Sequence, residues 1–242
     1  MRTLILGLPL PNPAFDNFSF LSAPSFSEYS QLLVDIGSAS RAVDDVIGGA
    51  GVHATYGGQA IVNGPASSFA FPLADILAMR RREAEWVLSH GGSVVCIGYP
   101  EVPHVLAGGD TWRSYDWLPR PEGLSYQDDL LPGFGRPGAV LVDADHAFAP
   151  YVEQLARRIA YRLHVNEDAP ELRESGSVFA RSSGGQAIGF EIPLLEGRLV
   201  VLPALQKPEA ERMATAGVVA ECLERLSQAR SPQPLESREE AL

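Results

Sequence analysis

An α/β fold with a mainly parallel sheet and antiparallel strands near its C-terminal end is what these 242 residues predict. Short apolar runs alternate with longer segments of helical period, the signature of strand and helix layers. One such helical segment stops at Gly91-Gly92 and passes straight into the run Ser93 to Tyr99, which is the form of a tight crossover between parallel strands. Three late strand-like runs are separated by connections too short for anything but hairpins.

Taken in order, Thr3 to Leu8 reads as the first strand, Gln31 to Ile36 as the second, Ser93 to Tyr99 as the third and Ala139 to Val142 as a fourth, all of them parallel. The first three end at Gly, Pro or Asp, residues that break a strand and open a loop. Leu73 to His90 places Leu73, Ile76, Leu77, Ala84, Val87 and Leu88 on one helical face. Pro150 suits the first turn of a helix whose Val152, Leu155, Ala156, Ile159 and Leu163 share a face. Ser177 to Ser182, Gln186 to Pro193 and Arg198 to Pro203 form the antiparallel group. A last helix over Pro208 to Leu226 carries Met213, Ala216, Ala220 and Leu223 on one side. The chain is therefore read as one domain over 1–226, with a polar, proline-containing tail over 227–242 expected to be disordered.

Composition narrows the function. Hydrophobic residues make up 45% and charged residues 20%, as in an ordinary globular domain, and the net charge of −11 disfavours nucleic acid and anionic membrane as partners. The clusters Arg80-Arg81-Arg82 and Arg157, Arg158, Arg162 have glutamates beside them and read as solvated helix faces. No apolar run reaches the roughly 20 residues of a membrane span, and the N-terminus lacks the pattern of a signal peptide. The cysteines, Cys96 and Cys222, lie in apolar periodic segments, which fits reduced thiols and a cytoplasmic setting.

Two connections, Pro9 to Glu28 and Pro100 to Gly138, are too long for turns and too aromatic for mobile coil. The first holds Phe15, Phe18, Phe20 and Phe26; the second holds Trp112, Tyr115, Trp117, Tyr126 and Phe134. Both leave carboxyl ends of expected parallel strands, the edge where open α/β sheets bind ligands. They are expected to touch and to wall a recess, with Asp16, Asn17, Arg113 and Asp116 as polar rim and Asp35 and Tyr99 at neighbouring strand ends. Trp112, Tyr115 and Trp117 would supply its apolar lining; burial of the aromatics as a small second core is the plainer alternative.

Cys96 and His146 are the thiol and imidazole that this topology could bring to the same strand ends, with Asp145 in support. A strand cysteine is more simply a buried core residue, and Asp143-Ala144-Asp145-His146 more simply a turn. Gly48-Gly49-Ala50-Gly51 follows no strand and lacks the lysine of a phosphate loop. No zinc-type spacing occurs, and neither metal nor cofactor is expected.

Arg80 to Cys96, Asp145-His146-Ala147-Phe148, and the run from Val178 through Glu196-Gly197-Arg198 to Pro203 together resemble class I glutamine-amidotransferase-like domains, most nearly the trehalose-utilisation (ThuA-like) branch. The resemblance implies a flavodoxin-like three-layer sandwich with a C-terminal hairpin. It departs where amidotransferases do their chemistry. Their Gly-x-Cys-x-Gly elbow here reads Val94-Val95-Cys96-Ile97-Gly98, without the first glycine, and no histidine is followed two places later by glutamate. The expected function is therefore a catalytically degenerate domain that binds a small polar ligand or a partner protein at the carboxyl edge, with possible homo-oligomers. The alternative is a hydrolase of the ThuA-like type, acting on a sugar-like or amide substrate with His146 as base and Asp145 or Asp35 in support.

Overall fold

The computed structural model describes residues 2–47, 54–56, 59–61, 70–105, 111–135, 138–206 and 211–229. Gly48 to Gly51 and the tail beyond residue 229 lie outside these residues. The strands are β1 (Thr3–Leu6), β2 (Phe15–Phe18), β3 (Gln31–Asp35), β4 (Ala54–Tyr56), β5 (Gln59–Ile61), β6 (Ser93–Ile97), β7 (Pro103–Val105), β8 (Thr111–Arg113), β9 (Leu130–Pro132), β10 (Val140–Leu141), β11 (Leu163–Val165), β12 (Ser177–Arg181), β13 (Ala187–Leu194) and β14 (Gly197–Leu202). The helices are α1 (Ile36–Ile47), α2 (Ala70–Ser89), α3 (Ala149–Leu155), α4 (Pro170–Glu174) and α5 (Arg212–Gln228).

Among the described residues the main sheet has eight strands in the order β10-β12-β13-β14-β6-β3-β1-β2. β14, β6, β3, β1 and β2 run parallel, while β13, β12 and β10 alternate in direction at one edge. Counted along the chain, the parallel strands stand in the order 2-1-3-4-5, which is the flavodoxin-like arrangement. Residues of β1, β6 and β14 are buried on both sides, as expected of parallel strands sandwiched between layers.

Alternation along each strand sorts the core into two layers. Leu4, Leu32, Val34, Val94, Cys96, Leu199 and Val201 face α1, α2 and the aromatic connections. Ile5, Leu33, Val95, Ile97, Val200 and Leu202 face α3 and α5, where Cys222 packs with Tyr151, Val219 and Leu223. The α2–β6 crossover requires its glycines: Gly91 has φ +74°, and a Cβ on Gly92 would stand 2.6 Å from the Val87 carbonyl oxygen.

The structure corrects four expectations. Val140–Leu141 is an antiparallel edge strand against Arg181 and Ala180, because the later hairpin holds the places beside β6. Pro9 to Glu28 is more than a connection: its Phe15–Phe18 form β2, parallel to β1 at the edge of the sheet. The helix from Pro150 ends at Leu155, tightens through Ala156–Arg158 and turns extended at Ile159, where Ala160 N–H is captured by Ala204 O at 2.8 Å. Leu163 consequently lies in β11, paired with β9. In α5, which continues through Gln228, Met213 points to solvent rather than to the core.

Candidate functional site

At the carboxyl edge β3 runs straight into α1, and Asp35 Oδ1 accepts the Gly37 N–H at 3.1 Å while Arg41 stands 3.7 Å from its other oxygen. The switch point between β1 and β3, where ligands of such sheets usually sit, is closed here. Gly7 has φ +80°, and a Cβ there would lie 2.4 Å from Ser38 Cβ, so the start of α1 rests directly on the end of β1.

The second aromatic connection is stitched over this edge. The Tyr115 hydroxyl donates to Tyr99 O at 2.8 Å and takes the Tyr99 N–H at 3.3 Å, just past β6. Ser114 Oγ meets Ser40 Oγ at 2.9 Å and accepts the Val102 N–H at 2.9 Å. Arg113 pairs with Glu101 at 3.1 Å, and its N–H donates to Asp116 Oδ2 at 2.8 Å. Burial raises the Glu101 carboxyl above its ordinary range, more than the Arg113 guanidinium lowers it.

Beside this brace lies a cavity of about 330 Å³ bounded by Arg81, Tyr115, Asp116, Leu118, Arg120 and Tyr126. The rings of Tyr115 and Tyr126 stack at 5.1 Å and 14° to form one wall. Tyr126 donates its hydroxyl to Pro119 O at 2.8 Å, so both phenols are committed to backbone. Burial holds both hydroxyls well above the ordinary phenol range.

The two aromatic connections do meet. Phe20 and Phe26 contact Trp117 edge-on, with centroids 5.4 and 6.2 Å away. They fill the contact rather than wall a recess, since Trp117 and Phe26 are fully buried. The cavity beside Tyr115 and Tyr126 lies to the side of this contact. Arg80 completes the cluster: its guanidinium lies 4.4 Å over the Phe26 ring, donates to the carbonyls of Leu21, Ala23 and Pro24, and pairs with Glu83 at 2.8 Å. The arginine triplet is thus not a uniform solvated face. Arg80 is 2% exposed because it turns inward at the helical position that faces the connection; Arg81 and Arg82 remain outside.

Of the residues expected at the site, Tyr115 and Asp116 line the cavity, Arg113 braces it, and Asp35 and Tyr99 stand at the adjoining strand ends. Trp112 is buried against His104, with ring centroids 5.3 Å apart, and Trp117 belongs to the core. Asp16 and Asn17 lie on β2 in other roles. Asp16 pairs with Arg2 and accepts from Tyr29, while Asn17 holds the Leu10 backbone at both its N–H and its carbonyl.

Cys96 and His146 are not brought together. The thiol is sealed in the layer under the aromatic connections, and burial pushes its pKa far up, so thiolate formation is opposed. His146 lies on the other face of the sheet, stacked on Phe179 at 3.9 Å and 8°. Its Nδ1 accepts the Phe148 N–H at 3.1 Å, so in this geometry Nε2 carries the proton toward Glu191 Oε2, also at 3.1 Å. Arg198 reaches Glu191 Oε1 at 3.4 Å and donates to Ala229 O at the end of α5. Glu191 pairs with Val200, which is level with Val95 in mid-sheet, so this group is away from the carboxyl edge. Asp145 is exposed and its N–H closes a turn onto Asp143 Oδ1 at 3.0 Å. Sequence reading missed Glu191 and Arg198, although two charged residues on inward strand positions were a signal of a buried pair. It also missed Arg81 and Arg120, which no periodicity places beside Tyr126. Among the described residues no group of three His, Cys, Asp or Glu could hold a metal ion, and no helix is long and apolar enough to cross a membrane.

No family model matches the sequence, and no curated protein matches it. Among solved structures it is similar to a candidate GMP synthase component from Thermoplasma acidophilum, at 10% identity and TM-score 0.40, over 94% of this chain and 95% of that one. It is also similar to two cytoplasmic proteins, one from Salmonella typhimurium LT2 at 12% identity and TM-score 0.44, the other from Salmonella typhimurium at 7% and 0.43, each over 91% of this chain and 98% of theirs. At these scores the likeness is distant, and nothing about the site follows from it.

Proposed function

We propose that this chain is a catalytically degenerate amidotransferase-like domain that binds a small polar ligand at the carboxyl edge of its sheet, in the cavity between Arg81, Tyr115, Asp116, Arg120 and Tyr126. The observation that carries the reading is that cavity. It joins a preformed stacked-aromatic wall to charged groups from two separate elements, and through the bond from Tyr115 to Tyr99 it adjoins the end of β6. Loss of catalysis is supported by the sealed Cys96 thiol, which cannot present a nucleophile. A hydrolase using His146 as base is disfavoured, because both ring nitrogens are engaged and the cavity lies across the sheet. The free, buried thiols of Cys96 and Cys222 support a cytoplasmic setting.

The test is thermal denaturation of the full chain against a panel of nucleotides, sugars and amino acids. A ligand held at 100 times its Kd should stabilise the native state by about 2.7 kcal/mol. A saturable rise in Tm with at least one member is expected; a panel without any saturable shift contradicts the reading.

A further inference from the structure

We infer that the ligand of this cavity is a small organic anion, a carboxylate or phosphate on an apolar body; the inference rests on the cavity being the binding site proposed above. Arg81 enters from α2 and Arg120 from the connection that follows Trp117, so two guanidiniums share one cavity of about 330 Å³. Arg120 makes no ion pair among the described residues. Among the described residues Arg81 pairs with Glu85 alone, one turn along the helix, at 3.5 Å and in an exposed position. The single carboxylate among the lining residues, Asp116, already takes the Arg113 N–H on Oδ2. Two guanidiniums against one carboxylate leave this lining with a net positive charge that favours an incoming anion, and their planar forks match carboxylate or phosphate oxygens in pairs.

The opposite wall selects the rest of the ligand. Both tyrosine hydroxyls are turned to backbone carbonyls, so the wall offers no free phenol, only the narrow ring surface that the buried Tyr115 and Tyr126 leave at the cavity. Leu118 extends that apolar surface. A ligand that fits therefore carries its charge at one end and packs a planar or aliphatic body on the tyrosine pair. On a chain of net charge −11, such local attraction is what would draw an anion in.

Calorimetric titration of the full chain with phenyl phosphate, benzoate and benzyl alcohol separates the contributions, since the three share a body and differ in head group. At least one anion should bind saturably and ten-fold or more tighter than the alcohol, and which anion wins identifies the head group. Arg120→Gln, an exposed position that leaves the core untouched, should weaken that binding at least ten-fold, and rising salt should weaken it further. Arg82→Gln, on the outer side of α2, should leave it unchanged. Failure of both anions to bind, or equal affinity for benzyl alcohol with no response to Arg120→Gln, overturns the anion. A saturable Tm shift by a neutral panel member would in that case leave the cavity standing as the site, whereas a silent panel removes both.

Discussion

Glu191 stands between two cationic or donating partners on an otherwise apolar face, with His146 on one oxygen and Arg198 on the other. This cluster ties the turn before α3 and the end of α5 to the same strand pair. His146→Ala would strand the Phe148 N–H and one oxygen of Glu191, and each buried group left without a partner costs about 1–3 kcal/mol. Urea denaturation should show a loss of about 2–6 kcal/mol for the two groups together, while ligand affinity stays unchanged because the cluster lies across the sheet from the cavity. Cys96→Ser places a hydroxyl among Val34, Val94 and Val201 and should cost about 1–3 kcal/mol; the native thiol should resist iodoacetamide until the chain unfolds. Burial raises Cys96 and pushes Cys222 up to about 12, from a starting value of 9.0. Above pH 9 the unfolded chain therefore releases thiol protons that the native state keeps. Stability is complete below that pH and falls above it, by up to about 1.4 kcal/mol per pH unit for each thiol. Denaturation midpoints at pH 8 and pH 10 check the sign: an unchanged or higher midpoint at pH 10 contradicts it.

Arg80 is what makes the first aromatic connection part of the fold. Three carbonyls of residues 21–24 and the carboxylate of Glu83 converge on one guanidinium that also covers Phe26. Arg80→Ala removes the cation from a buried pair and should cost about 3–5 kcal/mol. Arg80→Lys should recover only part of it, because a single ammonium cannot reproduce the planar fork. Both losses are read from denaturant midpoints, and a neutral Arg80→Ala would show that the connection is held by its aromatics alone. The second connection is equally built in. Deleting Thr111 to Leu118 takes away Trp112, Tyr115, Trp117 and Leu118, all buried, so loss of cooperative folding is expected rather than survival of the sheet. Circular dichroism of the deleted chain decides between the two.

At the level of the whole molecule, the sheet was legible because buried parallel strands are written as continuous apolar runs closed by Gly, Pro or Asp, and α2 because Gly91-Gly92 ends its apolar face. The direction of Val140–Leu141 was not legible, since a two-residue run carries no sign of which neighbour it meets. The meeting of the two aromatic connections followed from topology. The position of the cavity did not, because it depends on Ser38 closing the gap over Gly7 and on Trp117 filling the contact, and both are packing outcomes. Among the cavities between described residues, two at the edges of the sheet compete for the role of binding site. One is the carboxyl-edge cavity at Arg81 and Tyr126; the other, about 500 Å³, lies at the amino edge between Asn12, Gln31 and Glu224. A crystal of the full chain soaked with a mixture of nucleotides, sugars and amino acids distinguishes them: density is expected against the Tyr115–Tyr126 stack, within hydrogen-bond reach of Arg81 or Arg120, whereas density confined to the amino-edge cavity would contradict the site.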